Sequence, residues 1–246
     1  MTYSRARMGV GGLVALAVVA VGPGQQGAAA SASGVVKLPR GHDVSSHQKT
    51  VNWSKARARG ARFVYVKATE STTYRNPYFT AQYGGAGGVG ILRGAYHFAR
   101  PNTSSGARQA AYFVRNGGAW KADGRTLPPA LDIEYNPYDA KHRCYGVGKK
   151  RMVRWIKAFS AEVDRLTGRP PVIYTTVNWW KTCTGNSRAL TANPLWIAQP
   201  GSKAGPLPGG WPYWTFWQHA TKGALPGDQN LFNGSAAQLT KFARGG

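Results

Sequence analysis

Two carboxylates stand one residue apart in Pro129-Ala130-Leu131-Asp132-Ile133-Glu134-Tyr135, in a chain of 246 residues with only nine acidic side chains. The segment is apolar, entered through Pro128-Pro129 and left through Asn136-Pro137, so Leu131 to Glu134 reads as a buried strand. Strand side chains alternate between faces, which puts Asp132 and Glu134 on the same side with Cα atoms about 6–7 Å apart. Carboxylates that share an apolar face raise each other's proton affinity, and this separates an acid from a base. The competing reading is a pair neutralised by some of the 32 Lys and Arg residues. The scarcity of carboxylates and the apolar setting favour chemistry.

The elements that must position this pair follow from the hydrophobic pattern. Strands are expected at Arg40 to Ser45, Phe63 to Ala68, Val89 to Phe98, Leu131 to Glu134, Val172 to Thr175, Leu195 to Gln199, Tyr213 to His219 and around Asn230 to Phe232. Helices are expected near Trp53 to Arg59, after Asn76-Pro77 as far as the glycines at 84–85 or 87–88, and over Ser104 to Asn116. The clearest runs from about Lys149 to Thr167. Met152, Ile156, Phe159, Val163 and Leu166 give it one apolar face, and Gly168 and Pro170 stop it. Beyond the fifth strand the helical pattern fades, and Trp179-Trp180 reads as a loop that could wall a groove. Alternating strands and helices argue for parallel strands with helical crossovers, and eight strands suggest a barrel.

In such barrels the C-terminal ends of strands collect at one face. Asp43 ends the first strand, Glu70 follows the second, Asp132 and Glu134 end the fourth, and Asp228 opens the eighth. Asp123, Asp139, Glu162 and Asp164 fall in loops or on the polar side of a helix.

Composition bounds the setting. Residues 1–32 read as a cleaved signal peptide: Arg5 and Arg7 precede an apolar stretch over Met8 to Val21, and small residues over 28–32 suit cleavage. Residues 33–38 are an extension and 39–246 a single domain, secreted, extracellular and monomeric. The formal charge is +23, so the surface draws anionic cell-wall polymers. The bases are dispersed, which argues against a specific nucleic-acid partner, and no membrane contact is expected after signal cleavage. Cys144 and Cys183 are the only cysteines and should pair, closing a loop that contributes about 3–4 kcal/mol in the chain-entropy picture. The histidines form no H-E-x-x-H pair and no G-x-S-x-G elbow is present, so neither a zinc amidase nor a serine hydrolase is expected. No metal or cofactor is expected.

Seven short motifs then occur in order: Gly41-His42-Asp43-Val44-Ser45, Val66-Lys67-Ala68-Thr69-Glu70, Gly94-Ala95-Tyr96-His97-Phe98, Leu131-Asp132-Ile133-Glu134, Leu195-Trp196-Ile197-Ala198, Trp214-Thr215-Phe216-Trp217-Gln218 and Asp228-Gln229-Asn230-Leu231-Phe232-Asn233-Gly234. Together they resemble the glycoside hydrolase family 25 lysozymes, the Chalaropsis-type N-acetylmuramidases, over about Pro39 to Phe242. The resemblance implies an α/β fold, a modified β/α barrel of eight strands with about five helices. It also implies hydrolysis of the β-1,4 bond between N-acetylmuramic acid and N-acetylglucosamine in peptidoglycan glycan strands. The family's D-x-E pair falls on Asp132 and Glu134, its first-strand aspartate on Asp43 and its late aspartate on Asp228. Its tyrosine before His-Phe is Tyr96. Tyr174, Trp196, Trp217 and Gln218 are further candidates for holding sugar. His42 departs from the family pattern by replacing a usual aliphatic residue, and His47, Lys49 and His219 depart from it too. A chitinase and a basic, aromatic wall-binding module without catalysis remain as rivals.

Overall fold

The computed structural model describes residues 37–246. The expected signal peptide over 1–32 and residues 33–36 of the expected extension lie outside the described residues. Nine strands form one sheet: β1 Arg40–Val44, β2 Ala61–Glu70, β3 Tyr74–Arg75, β4 Leu92–Phe98, β5 Ala130–Asp132, β6 Val172–Thr176, β7 Leu195–Ala198, β8 Phe216–Ala220 and β9 Asp228–Phe232. They follow the order β1-β9-β8-β7-β6-β5-β4-β2-β3, and β1 also pairs with β2, so eight strands close a barrel and β3 hangs from its rim. Among the described residues six α-helices surround it: α1 Trp53–Ala58, α2 Phe79–Gly88, α3 Gly106–Phe113, α4 Lys149–Thr167, α5 Val177–Thr184 and α6 Ala236–Arg244.

The period-2 pattern sorts side chains between two compartments. Phe63 and Tyr65 of β2, Tyr96, Ala130, Val172, Trp196, Phe216 and Phe232 fill the barrel interior. Their chain neighbours face outward. Leu131, Ile133, Ile173, Leu195 and Ile197 pack on Phe113, Met152, Ile156, Phe159 and Val163 of α3 and α4. Val44, Val64 and Val66 pack on Trp53 and Ala56 of α1 and Ala86 of α2. Helix α4 has the expected bounds and ends on Gly168 in the left-handed conformation, φ 69°. Four of its five expected apolar residues are buried, while Leu166, in the last turn, is 39 % exposed.

The structure departs from the expected pattern in several places. Not all strands are parallel: β9 runs antiparallel to both neighbours, β8 and β1. Trp179 and Trp180 belong to helix α5, capped by the Thr176 side chain, and both are fully buried in the core rather than walling a groove. Helix α6 is opened by a capping box, Ser235 with Gln238. The expected helix over Ser104 to Asn116 is shorter, Gly106–Phe113, followed by a wide turn over Val114–Gly118. Cys144 and Cys183 form a disulfide with Cα atoms 5.5 Å apart, tying the loop after β5 to α5.

Candidate active site

The strand that carries the carboxylate pair is shorter than the pattern suggests. β5 ends at Asp132, and Glu134 lies past it. The backbone nevertheless stays extended for one more step, because Ile133 N donates to Tyr174 O at 3.0 Å. Alternation therefore holds: Leu131 and Ile133 face the helices, and Asp132 and Glu134 line one cavity of about 190 Å³.

Asp43 and Asp228 line the same cavity. A residue that opens a strand would lie at the opposite rim of an all-parallel barrel. Antiparallel β9 reverses that, and its register sets Asp228 directly against Asp43. The turn into β9 needs Gly227, at φ +75°, where any Cβ would strike the Asp43 carbonyl.

The two halves of the cavity are built differently. Asp43 Oδ2 accepts Nε2 of Gln218 at 2.9 Å and Nδ2 of Asn230 at 2.7 Å. Gln218 Nε2 also reaches Asp228 Oδ2 at 3.3 Å. Gln218 is itself held by the Tyr174 hydroxyl, which donates to its Oε1 at 3.0 Å. Asn230 is held by Trp196, whose Nε1 donates to its Oδ1 at 2.8 Å. Across the cavity, Asp132 Oδ1 is buried with no donor among the described residues.

Burial decides the proton affinities. It pushes Asp43 up to about 7, helped by the Asp228 charge and opposed by the Asn230 and Gln218 amides. Burial likewise pushes Glu134 up to about 7; the Lys67 ammonium opposes this and Asp228 adds to it. Asp132 is raised by burial first and by Glu134 second, with Lys67 again opposing. Asp228 is raised by burial alone. Both members of the pair are therefore pushed toward their protonated forms, and the Glu134 charge adds to the rise in Asp132. Among the described residues, Lys67 is the only Lys or Arg lining this cavity, against four carboxylates.

A buried carboxyl that keeps its proton beside one without a donor suits cleavage of an acetal-type bond, in which a leaving oxygen must be protonated. The sequence profile described as "Glycosyl hydrolases family 25" matches residues 42–228. The chain belongs to glycosyl hydrolase family 25. It is a glycoside hydrolase. "Lysozyme M1" of Streptomyces globisporus is 49% identical over 210 residues, covering 83% of this chain and 71% of that one. An "N,O-diacetylmuramidase" of Chalaropsis sp. is 47% identical over 211 residues, covering 84% and 99%. The solved structure of a muramidase from Acremonium alcalophilum superposes with a TM-score of 0.82 at 51% identity, covering 84% of this chain and 99% of that one.

On this family 25 barrel, the cavity brings together Asp43, Asp132, Glu134, Asp228, Tyr96, Tyr174, Trp196 and Gln218. Trp217 is not among them. Gln218 faces inward, so its neighbour Trp217 must face outward, where it packs in the helix-side core and donates to Gln199 O at 2.8 Å. Trp196 is only 2 % exposed, with its ring against Tyr65 and Tyr174, so it forms the floor rather than an open stacking face. Glu70 lines an adjoining cavity with Arg100 and Tyr138, and its Oε2 accepts Lys67 Nζ at 2.7 Å. Asn230 was not singled out from sequence. Its signal is parity: it lies two residues after Asp228 on the same strand and so faces the same way.

Proposed function

We propose that this chain is a secreted muramidase that cleaves the β-1,4 bond between N-acetylmuramic acid and N-acetylglucosamine in peptidoglycan. The names of its relatives support the substrate, and its positive charge suits an anionic wall, with wall polymers as secondary partners. The observation that carries the mechanism is the contrast within the pair. Glu134 holds a proton near neutrality, and Asp132 has a buried oxygen lacking a donor.

Glu134 gives its proton to the leaving glycosidic oxygen. The 2-acetamido oxygen of the same sugar attacks the anomeric carbon as the bond to the leaving group breaks. Its N–H donates to Asp132 Oδ1, filling the vacant acceptor. That contact favours the ionised form of Asp132 and leaves Glu134 as the acid. Water then attacks the anomeric carbon and returns a proton to Glu134, and two inversions give net retention. Asp43, Asp228 and Gln218 form the opposite wall, which orients the sugar and tunes the pair. Tyr96 and Tyr174 meet the ring.

The test is digestion of purified peptidoglycan, borohydride reduction and mass spectrometry. Reduced muramic acid ends are expected. Reduced glucosamine ends, anhydro-muramic ends, or released peptides without new reducing ends would each refute the muramidase reading. Faster cleavage of chitin oligomers would move it to a chitinase.

A further inference from the structure

The barrel's other end packs against helix α6. The segments leading into β7 and β8, the end of antiparallel β9 and helix α6 surround a cavity of about 350 Å³ there. It shares no lining residue with the acidic cavity. The length of the strands separates the two by about 15 Å, and they open on opposite faces.

Its lining combines aromatic rings with polar groups. Trp211 is buried and its Nε1 donates to Asn193 O at 2.8 Å. Trp214 is half-buried, with its ring tilted against that of Trp217. Tyr213 beside it is 63 % exposed. Asn233 donates its Nδ2 to Trp214 O at 2.8 Å. Lys241 is exposed and makes no ion pair among the described residues, and no Asp or Glu lines the cavity. A single exposed tyrosine needs no explanation. Here it rims a concavity together with the half-buried Trp214, the Asn233 amide and the Lys241 ammonium.

A pyranose has an apolar C–H face, for which a ring is the complement, and an edge of hydroxyl and acetamido groups, for which an indole N–H and an amide oxygen are complements. The exposed Lys241 ammonium can donate to a sugar hydroxyl or acetamido oxygen. We propose that this cavity is a second, non-catalytic binding site for a glycan strand of acetamido sugars. It holds the enzyme on the wall through one strand while the acidic cavity cuts a neighbouring one. The identity of the polymer rests on the muramidase reading. The gain is one of effective concentration, so it exists on a polymeric wall and vanishes on short fragments.

The full chain carrying Glu134→Gln, which cannot turn over, is mixed with insoluble peptidoglycan and sedimented, with and without Tyr213→Ala or Trp214→Ala. Each added change should weaken retention by about fivefold or more. In the active chain, each should slow digestion of insoluble wall by a similar factor and leave hydrolysis of a short soluble fragment unchanged. Adding an N-acetylglucosamine hexamer should move the Trp214 indole N–H resonance in the Glu134→Gln chain. Tyr213 is exposed, so its variant remains informative if Trp214→Ala disturbs packing against Trp217. Unchanged retention in the Tyr213→Ala chain overturns the proposal. So does an equal loss on soluble and insoluble substrate, or an indole shift produced by wall stem peptides and not by the hexamer. Concentration-dependent dimerisation abolished by Tyr213→Ala would assign the cavity to a second copy of the chain instead. An unmutated chain that binds wall through Tyr213 but releases no muramic ends would sink the muramidase reading and leave the site standing.

Discussion

The two walls of the acidic cavity hold carboxylates of the same chemical type in opposite states of preparation. On the β1 and β9 side, Asp43 is gripped by two amide N–H groups, and those amides are themselves held by Tyr174 and Trp196. On the β5 side, Asp132 keeps a buried oxygen with no donor among the described residues. A buried acceptor without a partner costs about 1–3 kcal/mol, so a fold tolerates it only where something else gains. The filled wall is a scaffold whose geometry exists before substrate arrives. In the proposed mechanism the unfilled wall is where substrate supplies the missing donor. Substitutions on the two walls should therefore fail differently.

The largest effect belongs to Glu134. Glutamine keeps its shape and cannot donate the proton, so Glu134→Gln should lose 10²-fold or more in turnover, on the order expected for removing a general acid. Binding to insoluble wall should persist. Near-normal turnover would remove Glu134 from the acid role.

Asp132→Asn should be next, and it should fail where Asp43→Asn does so less. Asparagine at 132 puts a possible donor where the substrate N–H must donate. At 43 an amide oxygen can still accept Gln218 and Asn230. Measuring kcat for both variants decides it. An equal loss would mean that the two walls are not distinct. NMR of fresh products should show retention; an inverted initial anomer would exclude the acetamido route and point to direct attack by water.

Much of this arrangement was legible in the sequence, for stated reasons. Helix α4 has an unbroken apolar stripe and a glycine stop, both local signals. The D-x-E pair shares a face because alternation is local too. The direction of β9 is a global property, and nothing in five residues encodes which way they run. Trp217 and Gln218 are neighbours on a strand and cannot share a face, so parity alone allows only one of them to reach the cavity. Asn230 and the capping box before α6 were readable by the same local rules. The vacant oxygen of Asp132 was not, because it depends on which donors the closed barrel fails to bring near.

Lys67 should have a smaller effect, visible in a pH profile rather than in maximal rate. Among the described residues its ammonium is the one Lys or Arg charge lining the cavity, and it opposes the rise in both Asp132 and Glu134. Lys67→Met should shift both limbs of the kcat/KM profile upward by about one unit. An unshifted profile would show that its charge is spent on Glu70, which it meets at 2.7 Å.

The smallest expected effect compares two neighbours on β1. Asp43 faces the cavity; His42 faces α1, fully buried against Trp53, its Nδ1 at 2.6 Å from Pro226 O and its Nε2 without a partner. Burial lowers His42 to about 4, the Pro226 contact opposing, while burial raises Asp43 to about 7. The linkage signs are opposite. A histidine held neutral contributes stability that is present above its unfolded pKa of about 6.5 and lost as pH falls toward its folded value. A carboxyl held protonated contributes stability that is present below its unfolded pKa of about 3.9 and lost as pH rises toward its folded value. Replacing His42 by leucine should therefore remove an acid-side loss of about 2 kcal/mol between pH 7 and pH 5. Asp43→Asn should remove a loss in the other direction over the same interval. Denaturant melts of both variants at pH 5 and pH 7 read the difference directly. If His42→Leu changes stability by the same amount at both pH values, the imidazole is not held neutral, and the contrast between these neighbours fails.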